Sequence, residues 1–342
     1  MSLPFSLRWR RQRVRWTRSL RRARSLDTVY VGERLAQYRE YWSQAAETLG
    51  AEFGDLTDRV WEARRGDRRT RISNYIVQLD DTVTNTLAGD KPYGYRLAES
   101  LGVPTPRYGI FSLDRLDEAK RFLAELDQPA VVKPARGSAS ALGISTWVEN
   151  DDALTDAACL ASLFCNEWIV ESMHFGESYR LLLLDGKLLH AVRRRGVRVV
   201  GDGSRTVGSL IPTEARRDRT LDATLAGQGM DADTVLEEGQ ELLVRSLPAP
   251  LASNRELRTE YDETITEQLD PSIIEAARRV ASGFGSRFAG VDFVTPDPGQ
   301  MLAACGGVFL ELNTTPGIHH HDTDGQRPLA VAVEVMKTLL EG

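Results

Sequence analysis

The chain has 342 residues, 42% of them hydrophobic and 27% charged, with a net charge of −6. That length exceeds one core of ordinary size and points to two or three lobes, while the net acidity excludes a generic polyanion binder. Cys159, Cys165 and Cys305 are odd in number and not spaced as zinc ligands, and no apolar run nears the ~20 residues of a membrane helix, so disulfide scaffolds, zinc modules and membrane spans are disfavoured and a reducing, cytoplasmic setting is expected.

Residues 1–24 carry nine arginines and no acid, with Trp9, Trp16 and Leu20 between them. This basic arm lacks the apolar stretch of a secretory signal. It reads as a solvated helix that packs Trp9 and Trp16 on a neighbour; a nucleic-acid or membrane-surface arm and a transit peptide are the alternatives. Residues 28–68 read as helical, because Tyr38, Tyr41, Trp42 and Ala45 recur at 3–4-residue spacing before Gly50. Val60–Arg65 reads as a second short helix, the 64–71 stretch as a polar loop and Tyr75–Leu79 as a short strand. The first 80 residues are thus expected to be mainly helical.

Helices and strands then alternate. Helices are predicted at Lys91–Leu101, stopped by Gly102, and at Leu116–Leu126. Ala130–Lys133 reads as a buried strand bounded by prolines, followed by a Gly/Ser-rich turn at Gly137–Gly143 and a strand at Ile144–Val148. A helix at Asp152–Leu163 starts with acids, which suits the helix dipole. After strand Trp168–Glu171, Tyr179–Leu184 and Lys187–Arg193 form a hairpin about Asp185-Gly186. Residues 213–262 are polar and irregular, and read as a mobile lid or substrate segment. Helices Ser272–Phe284 and Leu329–Leu340 flank strands Gly290–Val294 and Val308–Leu312. The fold class is α+β.

Two stretches carry candidate chemistry. Lys133 ends a buried strand and is followed by small residues, an arrangement that brings backbone N–H groups and a point charge to an anion, although the GK[ST] ending of a Walker loop is absent. In Phe309–Gly317, Glu311 and Asn313 lie two apart and share one strand face; with Asp292 they make three oxygen donors suited to a hard cation. Only five lysines occur against 38 arginines, and Lys91 and Lys133 are two of them.

In order, Asp90-Lys91, Val132-Lys133-Pro134 with its small-residue loop, Val170-Glu171, Gly176-Glu177-Ser178-Tyr179-Arg180, Gly201-Asp202-Gly203, Gly290-Val291-Asp292 and Glu311-Leu312-Asn313-Thr314-Thr315-Pro316-Gly317 resemble the ATP-grasp superfamily of carboxylate–amine ligases. The flavour is that of the cyanophycin synthetase and bifunctional glutathione synthetase ligase domains, over roughly residues 80–340. The resemblance implies a nucleotide held between two α/β lobes, a small one at 81–166 with a phosphate-covering loop at 137–143 and a large one at 167–342, after the region 1–80. It implies that Lys91 and Lys133 contact ATP phosphates beneath a flap containing Gly137, Ser138, Ala139 and Ser140. Glu171 and Ser172 would lie by the adenine, Glu177 by the ribose, and Asp292, Glu311 and Asn313 on Mg2+. Arg194 would sit near the transferring phosphate, with Arg193, Arg195 and Arg198 as other candidates. ATP and two Mg2+ ions, with Mn2+ as an alternative, would be the cofactors.

The implied activity is amide or peptide bond formation through an acyl phosphate, between amino acids or an amino acid and a small acid. A non-catalytic ATP sensor or scaffold and a carboxylate kinase are the alternatives. The implied partners are small molecules, with no specific nucleic acid, no membrane span, and a homodimer by analogy. The extra arginines before Gly201 suggest an acidic substrate or only ATP's own charge. His319-His320-His321 reads as a solvated turn, with substrate contact by one of them as the alternative.

Overall fold

The computed structural model describes residues 4–24, 28–137, 143–194, 196–212, 221–245, 263–321 and 327–341. Two helices open the chain, α1 (Phe5–Arg24) and α2 (Thr28–Thr48). Four strands follow as an antiparallel meander, β1 (Glu52–Thr57), β2 (Val60–Arg65), β3 (Arg68–Ser73) and β4 (Ile76–Val77). Helices thus hold more of the first 80 residues than strands do, but a sheet accompanies them, and Val60–Arg65 and the 64–71 stretch are strands rather than a helix and a loop. The reason is a period of two hidden among arginines: Thr70 and Ile72 point inward while Arg69 and Arg71 stay exposed. With so few apolar positions, the alternation resembles a polar loop.

The next elements are α3 (Thr82–Ala88), α4 (Lys91–Ser100), β5 (Tyr108–Phe111), α5 (Leu116–Ala124), β6 (Ala130–Pro134), β7 (Ser145–Val148), α6 (Asp151–Ala161) and β8 (Trp168–Ser172). Their strands pair antiparallel in the order β5-β8-β6-β7. Trp168–Ser172 thus belongs to the smaller sheet, between β5 and β6, and not to a large lobe beginning at 167. Helix α1 lies against this lobe. Leu7 and Val14 pack on its core, Arg10 bridges to Asp152 at 2.9 Å, and Arg11 donates to the Ser162 carbonyl at 2.8 Å. Trp9 does not pack as expected: it is 59% exposed, with the Arg13 guanidinium 5.9 Å from its ring. The side chain of Trp16 lies outside the described residues.

The remaining elements are β9 (Glu177–Leu184), β10 (Lys187–Arg194), β11 (Val197–Val200), α7 (Val207–Leu210), α8 (Leu221–Ala226), β12 (Glu241–Arg245), β13 (Glu263–Thr264), α9 (Pro271–Phe284), β14 (Phe288–Thr295), α10 (Leu302–Cys305), β15 (Val308–Thr314) and α11 (Arg327–Glu341). The large sheet has the order β13-β10-β9-β14-β15. The β9–β10 turn has Asp185 at φ 47° and Gly186 at φ 75°, both left-handed, which matches the strand twist of a tight hairpin. Strand β9 is covered on both faces. Tyr179, Leu181 and Leu183 face the core built with α4 and α9; Leu182 and Leu184 face the core built with α11, α2 and the first sheet. That double burial explains the unbroken run Leu181–Leu184.

The 213–262 segment is not uniformly irregular. Its described part contains α8 and β12; β12 pairs with β11, and Leu225, Leu236, Leu242 and Val244 close a small core with Val199, Val207 and Ile211. Residues 213–220 and 246–262 lie outside the described residues. The core is formed by wide, aperiodic spacing, so no local pattern announces it. No helix among the described residues is long and apolar enough to cross a membrane, and Cys159, Cys165 and Cys305 are free thiols.

Trp42 is fully buried where α2 meets the first sheet, and its Nε1 donates to the Asn74 carbonyl at 2.8 Å. Because its cluster includes Leu182, Phe288 and Met336, the N-terminal region and the large lobe share one core. Trp42→Ala is expected to lower the unfolding free energy by about 3–5 kcal/mol in a single urea transition. A separate early transition for the first 80 residues, with the rest unmoved, would contradict the shared core.

Candidate active site

In an antiparallel ladder, directly opposed residues place their side chains on the same face. The register opposes Arg180 to Asp292 and Asp292 to Glu311; two residues along, it opposes Leu182 to Gly290 and Gly290 to Asn313. On the other side of β9, Val192 opposes Arg180 and His190 opposes Leu182. One face of the large sheet therefore carries His190, Arg180, Asp292, Glu311 and Asn313 together, and Arg194, two beyond Val192, joins it.

The contacts follow from this register. Arg180 grips Asp292 as a fork, Nε to Oδ1 at 2.7 Å and Nη2 to Oδ2 at 2.5 Å, with both side chains buried. Asn313 Nδ2 lies 3.3 Å from Asp292 Oδ2 and 3.4 Å from Glu311 Oε1. The three expected oxygen-bearing side chains thus converge. Burial pushes the Asp292 carboxyl up against the pull of Arg180. Burial also raises Glu311, but Lys91, Lys133 and Arg180 outweigh it and leave its pKa lowered. Gly290 has no side chain for a steric reason: a Cβ there would lie 2.9 Å from Pro316 Cβ and 3.5 Å from Arg180 Cδ. Its absence lets the turn after β15 fold back over the sheet.

The two lysines approach from the other lobe. Asp90 caps α4 by accepting from Tyr93 N at 2.9 Å, which places Lys91 in the first helical turn. Lys91 Nζ is buried, 3.9 Å from Glu311 Oε2. Burial depresses its pKa and Lys133 adds to that, against the opposing pull of Glu311. Lys133 Nζ lies 2.9 Å from Glu171 Oε1 and donates to the Tyr95 hydroxyl at 2.8 Å; that hydroxyl donates to Glu171 Oε2 at 2.7 Å. Burial, then Glu171, holds the Tyr95 phenol well above its ordinary pKa. Glu171 is therefore engaged with Lys133, and Tyr95 closes a buried three-membered network.

Sequence reasoning assigned no role to Tyr95 or Arg180. Tyr95 follows Lys91 by four residues on α4, and that spacing was the available signal. Arg180 is a charge inside an apolar strand, a second signal. Ser172 Oγ accepts from Arg107 N at 3.1 Å and lies 3.2 Å from His174 Nε2. Glu177 pairs with Arg198, and Arg193 with Glu263, so two of the four candidate arginines are already engaged by acids. Arg195 lies outside the described residues, as do Ser138, Ala139 and Ser140 of the flap; Gly137 precedes them at φ 64°.

The histidine run is not a solvated turn. His319, His320 and His321 are 7%, 7% and 0% exposed, in a 3₁₀ turn (Ile318–His321) that packs on β10 and α11. Tyr38 of α2 meets His319 Nδ1 at 2.6 Å, and His190 Nδ1 lies 3.0 Å from His321 Nδ1. Burial, neighbouring imidazoles and the guanidiniums of Arg194 and Arg180 hold His320 and His321 well below the ordinary imidazole pKa. Among the described residues no three His, Cys, Asp or Glu side chains are clustered for a metal; the oxygen corner owes its third donor to the Asn313 amide.

Tyr95→Phe removes one hydroxyl and leaves the ring packing in place. It is expected to cost about 1–3 kcal/mol, because Lys133 and Glu171 each lose a charged hydrogen bond in a buried setting. Denaturant unfolding of the variant checks this, and unchanged stability would show that the network is not held as described.

No family model matches the chain. It is similar to the cyanophycin synthetase of Geminocystis herdmanii, 31% identical over 299 residues that make up 80% of this chain and 33% of that protein. It is also similar to the bifunctional glutathione biosynthesis protein of Streptococcus mutans, 27% identical over 294 residues, 81% of this chain and 38% of that protein. The chain thus spans about a third of the length of the curated relatives it matches. Among solved structures, the bifunctional glutathione synthetase of Pasteurella multocida overlays with a TM-score of 0.53 at 20% identity, covering 87% of this chain and 43% of that one, which shows a shared fold. With the converging side chains of the two lobes, these likenesses support the resemblance to the ATP-grasp superfamily of carboxylate–amine ligases.

Proposed function

We propose that the protein is an ATP-dependent carboxylate–amine ligase that forms an amide or peptide bond between amino acids, or between an amino acid and a small acid. The observation that carries this reading is the row Arg180–Asp292–Glu311 with Asn313 on one sheet face, closed from the other lobe by Lys91 and Lys133. The proposed cofactors are ATP and Mg2+, two ions, with Mn2+ as a substitute. The donor set fits a hard cation: two carboxylates and an amide whose oxygen comes inward by a simple flip of Asn313. Glu311 is partly exposed and has reach, and Arg180 balances Asp292 when no other cation does.

A carboxylate does not react with an amine near neutral pH, because oxide is a poor leaving group; conversion to an acyl phosphate supplies a good one. The bound cation would supply charge neutralisation on the phosphates. The chain's own residues do the rest. Lys91 and Lys133 offset charge on the nucleotide's phosphates, with Lys133 held by Tyr95 and Glu171. Arg194 offsets charge where the phosphoryl group moves to the acid. Water has to be kept from the activated acid, which it would otherwise hydrolyse. Glu171 and Ser172 border the base, and Glu177 the ribose once Arg198 yields it. The lobe division near residues 81 and 172 and a cytoplasmic setting belong to the same reading.

Glu311→Gln keeps shape and removes charge. Acid- and amine-dependent ADP release is expected to fall by about 10²-fold or more, since several kcal/mol of charge stabilisation are lost, with an unchanged circular dichroism spectrum. The assay is incubation of ATP with pairs of amino acids, read by mass spectrometry. Full turnover in the variant would overturn the reading. Wild-type ADP without an amide mass would point to a carboxylate kinase.

A further inference from the structure

The turn after β15 holds three histidines that the ligase chemistry above does not use. The Tyr38 hydroxyl accepts from the backbone N–H of His319 at 3.3 Å and hydrogen-bonds with His319 Nδ1 at 2.6 Å. His190 Nε2 lies 3.2 Å from Thr264 Oγ1, and its Nδ1 shares one N–H with His321 Nδ1. His320 Nδ1 and His321 Nε2 are buried with no hydrogen-bond partner among the described residues. Buried polar atoms in native proteins are nearly always satisfied, so each of these orphans marks a place where a ligand or solvent atom belongs.

The surroundings state what kind of ligand. Arg180 and Arg194 share the sheet face that carries His190, which meets His321 at 3.0 Å, and their charge disfavours a proton on the rings of His320 and His321. Imidazole nitrogens that can carry a donor hydrogen, beside guanidiniums, suit an anion rich in acceptor oxygens. Phosphate and carboxylate share that chemistry, but the two flanks of Asp292 differ. Lys91 and Lys133 stand on the β15 side. The histidines stand on the β10 side, through His190 and His321. With the lysines serving phosphate, the β10 side is left for the acid.

We propose that His320 and His321, backed by Arg194, form a subsite for a carboxylate of the acid substrate, with Tyr38 of the N-terminal region fixing the wall through His319. This deepens the ligase reading and rests on it.

The test is calorimetric titration of the full chain, with AMP-PNP and Mg2+ present, against the twenty L-amino acids and succinate. At least one is expected to bind and to move the ring 15N resonances of His320 in the wild-type protein. His320→Phe, which keeps a ring but no nitrogen, is expected to weaken that ligand about tenfold or more while AMP-PNP affinity stays unchanged, and His320→Gln to recover part of the loss. Equal affinity in His320→Phe, unmoved 15N resonances on binding, or no binding by any of these compounds would overturn the subsite. The two readings fail separately. Binding through His320 without ADP or amide formation would sink the ligase and leave the subsite; wild-type KM for the acid in His320→Phe would do the reverse.

Discussion

The site depends on one strand register, the one that sets Arg180 against Asp292 and Asp292 against Glu311. Side chains alternate with a period of two, so a slip of one residue would turn the whole row to the opposite face. Three features hold the register. Strand β9 is buried on both faces, so neither set of leucines tolerates exchange. The left-handed pair Asp185 and Gly186 fixes the β9–β10 hairpin. Gly290 leaves room for Pro316 to fold over the sheet, which carries the histidine turn onto the same face as the carboxylates.

The charge distribution is that of a site built to exchange partners. Taking Arg180 and Asp292 out of water together is costly, and the fork geometry offsets much of that cost. Lys133 and Glu171 repeat the arrangement in the smaller sheet, with Tyr95 between them. Cations and carboxylates thus balance in pairs within the protein. A polyanion with its own cation re-pairs them without leaving a bare charge behind. The N-terminal region takes part in this design, since Tyr38 orients His319 and the Trp42 cluster braces the strands beneath.

Much of this was legible in the sequence, for identifiable reasons. The Asp185-Gly186 hairpin, the helix at Lys91, and the shared face of Glu311 and Asn313 each rest on local rules of turn, cap or alternation. What was not legible depends on distant partners. The meander at 52–77 was hidden because arginines fill its outward positions, leaving Thr70 and Ile72 as a faint inner face. The histidines read as polar and solvated because their burial is set by β10 and Tyr38, neither of which is a neighbour in the chain. Arg180 and Tyr95 stood in plain view as a charge and a phenol at suggestive spacings, but only the register shows what they hold. The module around β11 and β12 escaped for the same reason, since its core joins residues on both sides of the Gly201 turn.

The central claim is that Asp292, Glu311 and Asn313 act together on a divalent ion. The most direct measurement is anomalous diffraction from crystals of the full chain grown with AMP-PNP and Mn2+. The account predicts a manganese peak within roughly 2.0–2.4 Å of an oxygen from each of the three side chains, bridged to the analogue's phosphates, with the Arg180 fork on Asp292 loosened. A peak elsewhere, or nucleotide bound with the three side chains untouched, would contradict it.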